Sequence, residues 1–285
     1  MLAAHMDEIG LMVKKIDENG FIRIVTIGGI EVLTLLGQVV KILNISGKPI
    51  CTGVVSYGEL HEGSEIKELP KLDYLYIDTG LTKKELIKKG IGTGTYIVPT
   101  QHFETLGNKD IITGKALDDR IGCYILVELA KSLKKTNLDI YFVFSVQEEI
   151  GLYGAKTSVF EINPSWGIAV DVTVAVDSDL KGNTSRIMGT GPFLTVKDAE
   201  IIASPVLDEH IKKIAKKNKI PLNLEIAEFG TSDATNMMLH GGGVPSTIIG
   251  VAIRNIHTTV GLASIKDIKN CIKLLQLILK NPPNL

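Results

Sequence analysis

The chain has 285 residues, of which 45% are hydrophobic and 22% charged, with a formal net charge of −1. That is enough apolar material for one large core or two smaller ones, and too little net charge for a disordered chain. Near-neutrality removes any global electrostatic case for nucleic acid or an anionic membrane as partner; no apolar run reaches the ~18 residues of a membrane span, and the start lacks the pattern of a secretion signal.

Residues 1–4 read as the tail of a buried strand, with His5 and Asp7 directly after it. From residue 9 to 100, short β-rich runs alternate with glycine-containing turns: "GLMVKKI", "GFIRIVTIGGI", "QVVKILN", "KPICTGVVS", "LYIDTG" and "GTYIVP". Runs of this length and spacing predict a small β-barrel or sandwich. One helix is expected within it, "LTKKELIKKG", with Thr82 as its cap and Gly90 as its stop. After residue 100 the texture becomes α/β. "DDRIGCYILVELAKSLKK" is an amphipathic helix with Ile121, Ile125, Leu129 and Leu133 on one stripe, "LDIYFVFSV" a buried strand, "GLYGAKTSVFEI" a helix and "WGIAVDVT" a strand. Then follow "LDEHIKKIAKKNK" (helix), "LNLEIAE" (strand), "TSDATNMMLHG" (helix), "PSTIIGVAI" (strand) and the terminal helix "SIKDIKNCIKLLQLILK". This alternation implies an α/β fold, a mixed or parallel sheet flanked by helices. The expected organisation is an α/β domain of residues 1–8 and 101–285, interrupted by an inserted β-rich domain at 9–100. Cys51, Cys123 and Cys271 are far apart and in no metal spacing, which fits reduced thiols in a soluble cytoplasmic protein.

Open α/β sheets place ligands at strand ends. Here His5 and Asp7 follow "LAA", Glu148 and Glu149 follow "IYFVFSVQ", Asp171 follows "WGIAV", and His257 follows "TIIGVAIRNI". Asp118 and Asp119 precede a helix, where the dipole already favours carboxylates. Singly, each has an ordinary reading as a satisfied histidine or a capping acid. Together they form a mixed nitrogen and oxygen set suited to zinc, cobalt or manganese, and large enough for two ions at about three protein ligands each. So many carboxylates would repel one another without cations among them. His5 and Asp7 stand two apart and can touch, so the acid can fix the imidazole tautomer. Of the adjacent Glu148 and Glu149, one can bind metal while the other serves a metal-bound water as general base. His61, His102, His210 and His240 match no ligand position.

The stretches "AAHMDEIGLMV", "LYIDTG", "GKALDDRIGCY", "VFSVQEEIGLYGA", "AVDVT", "GTSDA" and "GVAIRNIHT" occur in order along nearly the whole chain. With them the sequence resembles the glutamyl and tetrahedral-type aminopeptidases, metallopeptidase family forty-two of the di-zinc exopeptidase superfamily. The resemblance implies a catalytic α/β domain with an inserted β domain through which relatives assemble into dimers and dodecamers. It implies two divalent metals per subunit, zinc or cobalt: Asp118 bridges them, His5 and Asp171 complete one site, and Glu149 and His257 the other. It further implies Glu148 as general base, Asp7 orienting His5, and a cis peptide between Asp118 and Asp119. The implied activity is release of N-terminal residues from short peptides. The alternatives are a deacylase or carboxypeptidase of the same superfamily, an endoglucanase as some relatives have been called, or an inactive peptidase-like scaffold. Three departures stand out. Relatives carry a further segment before the His-x-Asp strand, so the chain is expected to begin inside the catalytic domain; were that segment truly absent, the first strand would lose neighbours and present an open edge. "IHTTVG" replaces the usual Ser, Pro and acid after the histidine, and Ser232 is inserted in the usual "GTDA".

Overall fold

The computed structural model describes residues 1–58, 69–100, 103–134, 136–177 and 186–285. His61 and His102 lie outside the described residues. The chain divides into two compact units, one of Met1–Glu8, Phe103–Ile256 and Val260–Leu285, the other of Ile9–His102 and His257–Thr259. Among the described residues, no helix is long and apolar enough to cross a membrane.

The first unit opens with β1 (Leu2–His5); the second follows, with β2 (Gly10–Ile16), β3 (Ile22–Ile27), β4 (Val39–Leu43), β5 (Pro49–Ser56), β6 (Tyr76–Asp78), helix α1 (Lys83–Lys88) and β7 (Tyr96–Pro99). Its six strands close into a barrel in the order β2-β3-β6-β5-β4-β7. Alternate residues face inward, so Leu11 and Val13, Ile22 and Ile24, and Val40 and Ile42 share one buried core with Ile77 and Ile97. Closure leaves no unpaired edge. The expected helix forms with a reciprocal cap, Thr82 Oγ1 accepting the Glu85 amide and Glu85 accepting the Thr82 amide. Gly90 ends it at φ +79°, a conformation costly for any residue with a Cβ.

The first unit resumes with β8 (Glu104–Thr105), β9 (Ile111–Gly114), α2 (Leu117–Ser132), β10 (Phe142–Ser145), α3 (Tyr153–Ile162), β11 (Gly167–Val174), β12 (Phe193–Lys197), α4 (Pro205–Lys217), β13 (Asn223–Ile226), α5 (Asp233–Met238), β14 (Ser246–Ile253), β15 (Gly261–Ser264) and α6 (Ile265–Lys280). Six strands form one sheet in the order β10-β1-β11-β14-β12-β13, and β15, β9 and β8 form a small second one. Side chains alternate between its faces. Leu2, Ala4, Ile168, Val170, Ile249 and Val251 pack with α2, α4 and α6, whereas Ala3, Ala169 and Ile248 pack with α3 and α5. Helices thus cover both faces, as the near-continuous apolar strands require.

Three features differ from expectation. Strand β1 is not an edge: it pairs in parallel with β10 on one side and β11 on the other. Among the described residues β10 and β13 are the outermost strands, and β10 is only half buried, with Phe144 exposed, where a buried strand was expected. Strand β12 was not anticipated; it runs antiparallel to β14 and makes the sheet mixed. The strands of the small second sheet, two to four residues long, are too short for a periodicity to register.

Candidate metal-dependent active site

The register of the central strands builds the site. Leu2 and Ala3 of β1 pair with Ile168 and Ala169 of β11; β1 runs on to His5 and β11 through Asp171. Extending that register sets His5 beside Asp171, and the His5 Nε2 lies 4.0 Å from Asp171 Oδ1. On the other side His5 is paired with Ser145, the last residue of β10. The crevice therefore lies at the carboxyl ends of parallel strands.

His5 is buried (2% exposed) and its two ring nitrogens face different groups. Nδ1 lies 3.2 Å from the Asp7 carbonyl and 3.6 Å from the Asp7 carboxylate. Nε2 lies 3.0 Å from Asp118 Oδ1 and 3.8 Å from Glu148 Oε2. If Nδ1–H donates to Asp7, Nε2 presents its lone pair to the carboxylates, the tautomer a metal ligand needs.

Asp118 and Asp119 open α2 with non-helical dihedrals and a cis peptide between them. Asp119 is fully buried. Its Oδ1 accepts the Gly122 amide at 2.9 Å, and its Oδ2 has no hydrogen-bond partner among the described residues. Gly122 is needed for this approach: a Cβ there would lie 2.3 Å from Asp119 Oδ2 and 2.4 Å from the Val170 carbonyl. Glu148 and Glu149 sit in the loop after β10, turned by Gln147 at φ +59° and Leu152 at φ +59°. The Asp7 carboxylate accepts the amides of both, Glu148 at 3.2 Å and Glu149 at 3.3 Å.

Two groups of three bring one ligand atom per residue within 4.8 Å of one another: His5, Asp119 and Asp171; and His5, Asp118 and Glu149. His257 belongs to neither. It lies with the second unit, at φ +57°, where its carbonyl accepts the Glu31 amide at 3.0 Å. Its Nδ1 would stand 2.9 Å from a Cβ on Gly29, so that glycine leaves room for the ring. Two buried acids near the crevice had no role assigned from sequence. Asp119 read as a helix-start acid. Asp233, at the start of α5, accepts the Ser145 hydroxyl at 2.5 Å, while its Oδ1 has no partner among the described residues. Its sequence signal was "GTSDA", where Ser232 caps the helix.

Burial and mutual repulsion shift the acids of the crevice. Burial, then the charge of Asp171, pushes Glu148 up to about 9. Burial pushes Asp171 up to about 7 and Asp233 up to about 6, and holds Asp119 well above the carboxylate range. Burial opposes charge on His5, yet the hydrogen bonds to Asp118 and Asp7 and the charges of Asp171 and Asp119 outweigh it and hold the imidazolium pKa up. Asp7, despite partial burial, is held below the usual range by His5 and the two amides. These acids cannot all ionise without added positive charge. Divalent cations meet that need: the donors are nitrogen and oxygen, and Asp119 offers an orphaned buried oxygen.

The chain and its fold have known relatives. The sequence model described as M42 glutamyl aminopeptidase matches residues 1–274. The chain is 38% identical over 285 residues to a lysyl aminopeptidase from Pyrococcus furiosus, covering 98% of this chain and 81% of that protein. Its fold matches the aminopeptidase APDkam598 from Desulfurococcus kamchatkensis with a TM-score of 0.92 at 35% identity, covering 99% of this chain and 79% of that one. It also matches the Pyrococcus horikoshii TET1 peptidase, described as able to assemble into a tetrahedron or a large octahedral shell, with a TM-score of 0.86 at 28% identity, covering 98% and 82%. The α/β sheet, the closed barrel and the ordered motifs thus have one common explanation: the chain belongs to the M42 glutamyl aminopeptidase family of metal-dependent hydrolases.

Proposed function

We propose that the crevice beside His5 removes the first residue of short peptides with two divalent cations, zinc or cobalt. The observation that carries this reading is the convergence of His5, Asp118, Glu149, Asp119 and Asp171 in two overlapping ligand groups. On family resemblance Asp118 would serve both ions, His5 and Asp171 one of them, and Glu149 and His257 the other; the residue common to the two ligand groups is His5. Bound there, the cations would acidify a shared water and polarise the carbonyl of the first peptide bond.

The chain's own groups do the rest. Glu148 takes the proton of the attacking water and delivers it to the leaving amine; its pKa near 9 without cations, set chiefly by burial and Asp171, would fall once positive charge enters the crevice. Asp7 holds the amides of Glu148 and Glu149, so the base and its neighbouring ligand keep a fixed relation. The same residue orients His5. The site's acids hold the substrate's free α-amino group. We further propose a cytoplasmic enzyme that assembles with copies of itself through the unit containing the barrel.

The test is metal content together with hydrolysis of aminoacyl-anilides. About two divalent ions per chain and cleavage only of substrates with a free amine are expected. Equal cleavage of N-acetylated substrates would favour a deacylase or carboxypeptidase instead, and a folded chain that binds no divalent ion would end the reading.

A further inference from the structure

The proposed base Glu148 and the proposed ligand Glu149 stand in the short loop between β10 and α3. Gln147 and Leu152 in that loop are both left-handed, at φ +59°, a conformation that persists in residues with a Cβ only where neighbours enforce it. Within the loop, the Gly151 and Leu152 amides donate to the Glu148 carbonyl at 3.0 Å, which closes the turn. The Asp7 carboxylate holds its middle through the Glu148 and Glu149 amides. What fixes its two ends comes from α5.

Asp233 and Asn236 stand three apart on α5 and so share a helix face. Asp233 Oδ2 accepts the hydroxyl of Ser145, the last residue of β10, at 2.5 Å, and Asn236 Nδ2 donates to the carbonyl of Leu152, where α3 begins, at 2.7 Å. The two contacts bracket Glu148 and Glu149. Ser145 and Asp233 are both buried, so water does not compete for the first contact. Asp233 Oδ1 has no partner among the described residues, which leaves the Ser145 hydroxyl to orient the carboxyl. The Leu152 carbonyl also accepts the Lys156 amide of α3, but at 3.3 Å, so Asn236 makes the closer contact. Helix α5 is itself fixed: Ser232 caps it, and Ala234 and Met237 are buried with Ala3, Ala169 and Ile248 of the sheet.

We propose that Asp233 and Asn236 are positioning residues, through which α5 sets where Glu148 and Glu149 stand. This rests on the aminopeptidase reading above and deepens it. Neither residue needs to touch a reacting atom; each acts through the loop, because a base and a ligand work only when their own supports are fixed. The two ends differ in reach. Ser145 is also the register partner of His5, so the Asp233 contact bears on both proposed ions. Asn236 contacts only the far end of the loop. Its loss weakens the ion served by Glu149 and slows the step served by Glu148, while the ion served by His5 and Asp171 stays in place.

The experiment uses Asn236→Leu in the full chain, which keeps the branched shape and removes the donor. In a zinc titration of the metal-stripped protein, one ion should bind about 10- to 100-fold more weakly and the other within about threefold of wild type. At saturating zinc, kcat on leucyl-p-nitroanilide should fall about tenfold or more with KM within about threefold. In the stripped protein, amide hydrogen exchange over residues 146–152 should quicken about tenfold while that of α4 is unchanged. Ser145→Ala should lower kcat more than Ser145→Thr, which keeps the hydroxyl; packing alone predicts the reverse, since threonine adds a methyl to a buried site. That pair decides if Asn236→Leu does not fold. Wild-type zinc binding and kcat in Asn236→Leu overturn the proposal, as does equal weakening of both ions or a larger loss in Ser145→Thr than in Ser145→Ala. If the wild type cleaves no anilide or binds no zinc, the aminopeptidase reading fails and loop exchange still judges the bracket: faster exchange in Asn236→Leu supports it, and unchanged exchange overturns it.

Discussion

The carboxylate of Asp7 accepts the backbone amide of Glu148 at 3.2 Å, joining the loop after β1 to the loop after β10. Its second oxygen takes the Glu149 amide at 3.3 Å. One side chain thus sets the position of the proposed base and a proposed metal ligand, while staying within 3.6 Å of the His5 ring.

Asp7→Asn should therefore affect several groups at once. An amide offers only one acceptor atom, so one of the two backbone donors loses its partner. Metal affinity and kcat are each expected to fall about 10- to 100-fold, the scale seen when groups supporting metal ligands are removed. Isothermal titration with zinc and steady-state kinetics on a leucyl-anilide would measure this; wild-type values in both would show that the clamp is dispensable.

Replacing Glu148 by Gln separates catalysis from metal binding. The general-base role predicts a loss of about 10²-fold or more in kcat, with metal content near that of the wild type. Elemental analysis alongside the rate assay reads both, and wild-type turnover in Glu148→Gln would remove Glu148 as the base.

The acids make the metal-stripped protein sensitive to alkali. Glu148, Asp171 and Asp233 have folded pKa values raised to about 9, 7 and 6, so each is buried neutral below those values and must ionise in an apolar setting above them. For a carboxyl raised on folding, stability is lost as pH rises from the unfolded value through the folded one. His5, also raised, contributes stability that is full below its unfolded value of 6.5 and lost as pH climbs toward its folded one. Both effects have the same sign. Tm of the stripped protein should fall by roughly 5 °C or more between pH 6 and pH 9, while the gain in Tm on adding zinc grows over the same range because metal competes with protons. Thermal melts across that range decide it; a stripped protein more stable at pH 9 than at pH 6 would contradict the assigned shifts.

Gly122→Ala tests the packing under Asp119. The new methyl would lie 2.3 Å from Asp119 Oδ2 and 2.4 Å from the Val170 carbonyl, so α2 or Asp119 must shift. A destabilisation of about 1–3 kcal/mol is expected from such overpacking, with weaker metal uptake. Unchanged melting and unchanged uptake would mean that the start of α2 relaxes freely.

Much of the fold was legible because its signals are local. Thr82 and Glu85 announce a capped helix within four residues, and "GLMVKKI" or "QVVKILN" announces a strand by alternation alone. The strand-end acids and histidines could likewise be picked out, since "LAAH" and "GIAVD" are apolar runs that stop at a polar group. Other features have no local signal. "FLTVK" looks like any short strand, and that it runs antiparallel to β14 follows only from pairing with residues more than fifty positions away. The interior place of β1 depends on β10 and β11, both more than 130 residues downstream.

By itself the amino-acid sequence determined the α/β class and the β-rich texture of residues 9–100, and pointed to the donor types of the proposed site, because periodicity, caps and donor types are properties of short stretches. Tertiary structure alone decided that Asp119 and Asp233 are buried and that Asp7 reaches both Glu148 and Glu149. Those relations depend on which strands lie side by side and in what register, and register is set by the packing of the whole core.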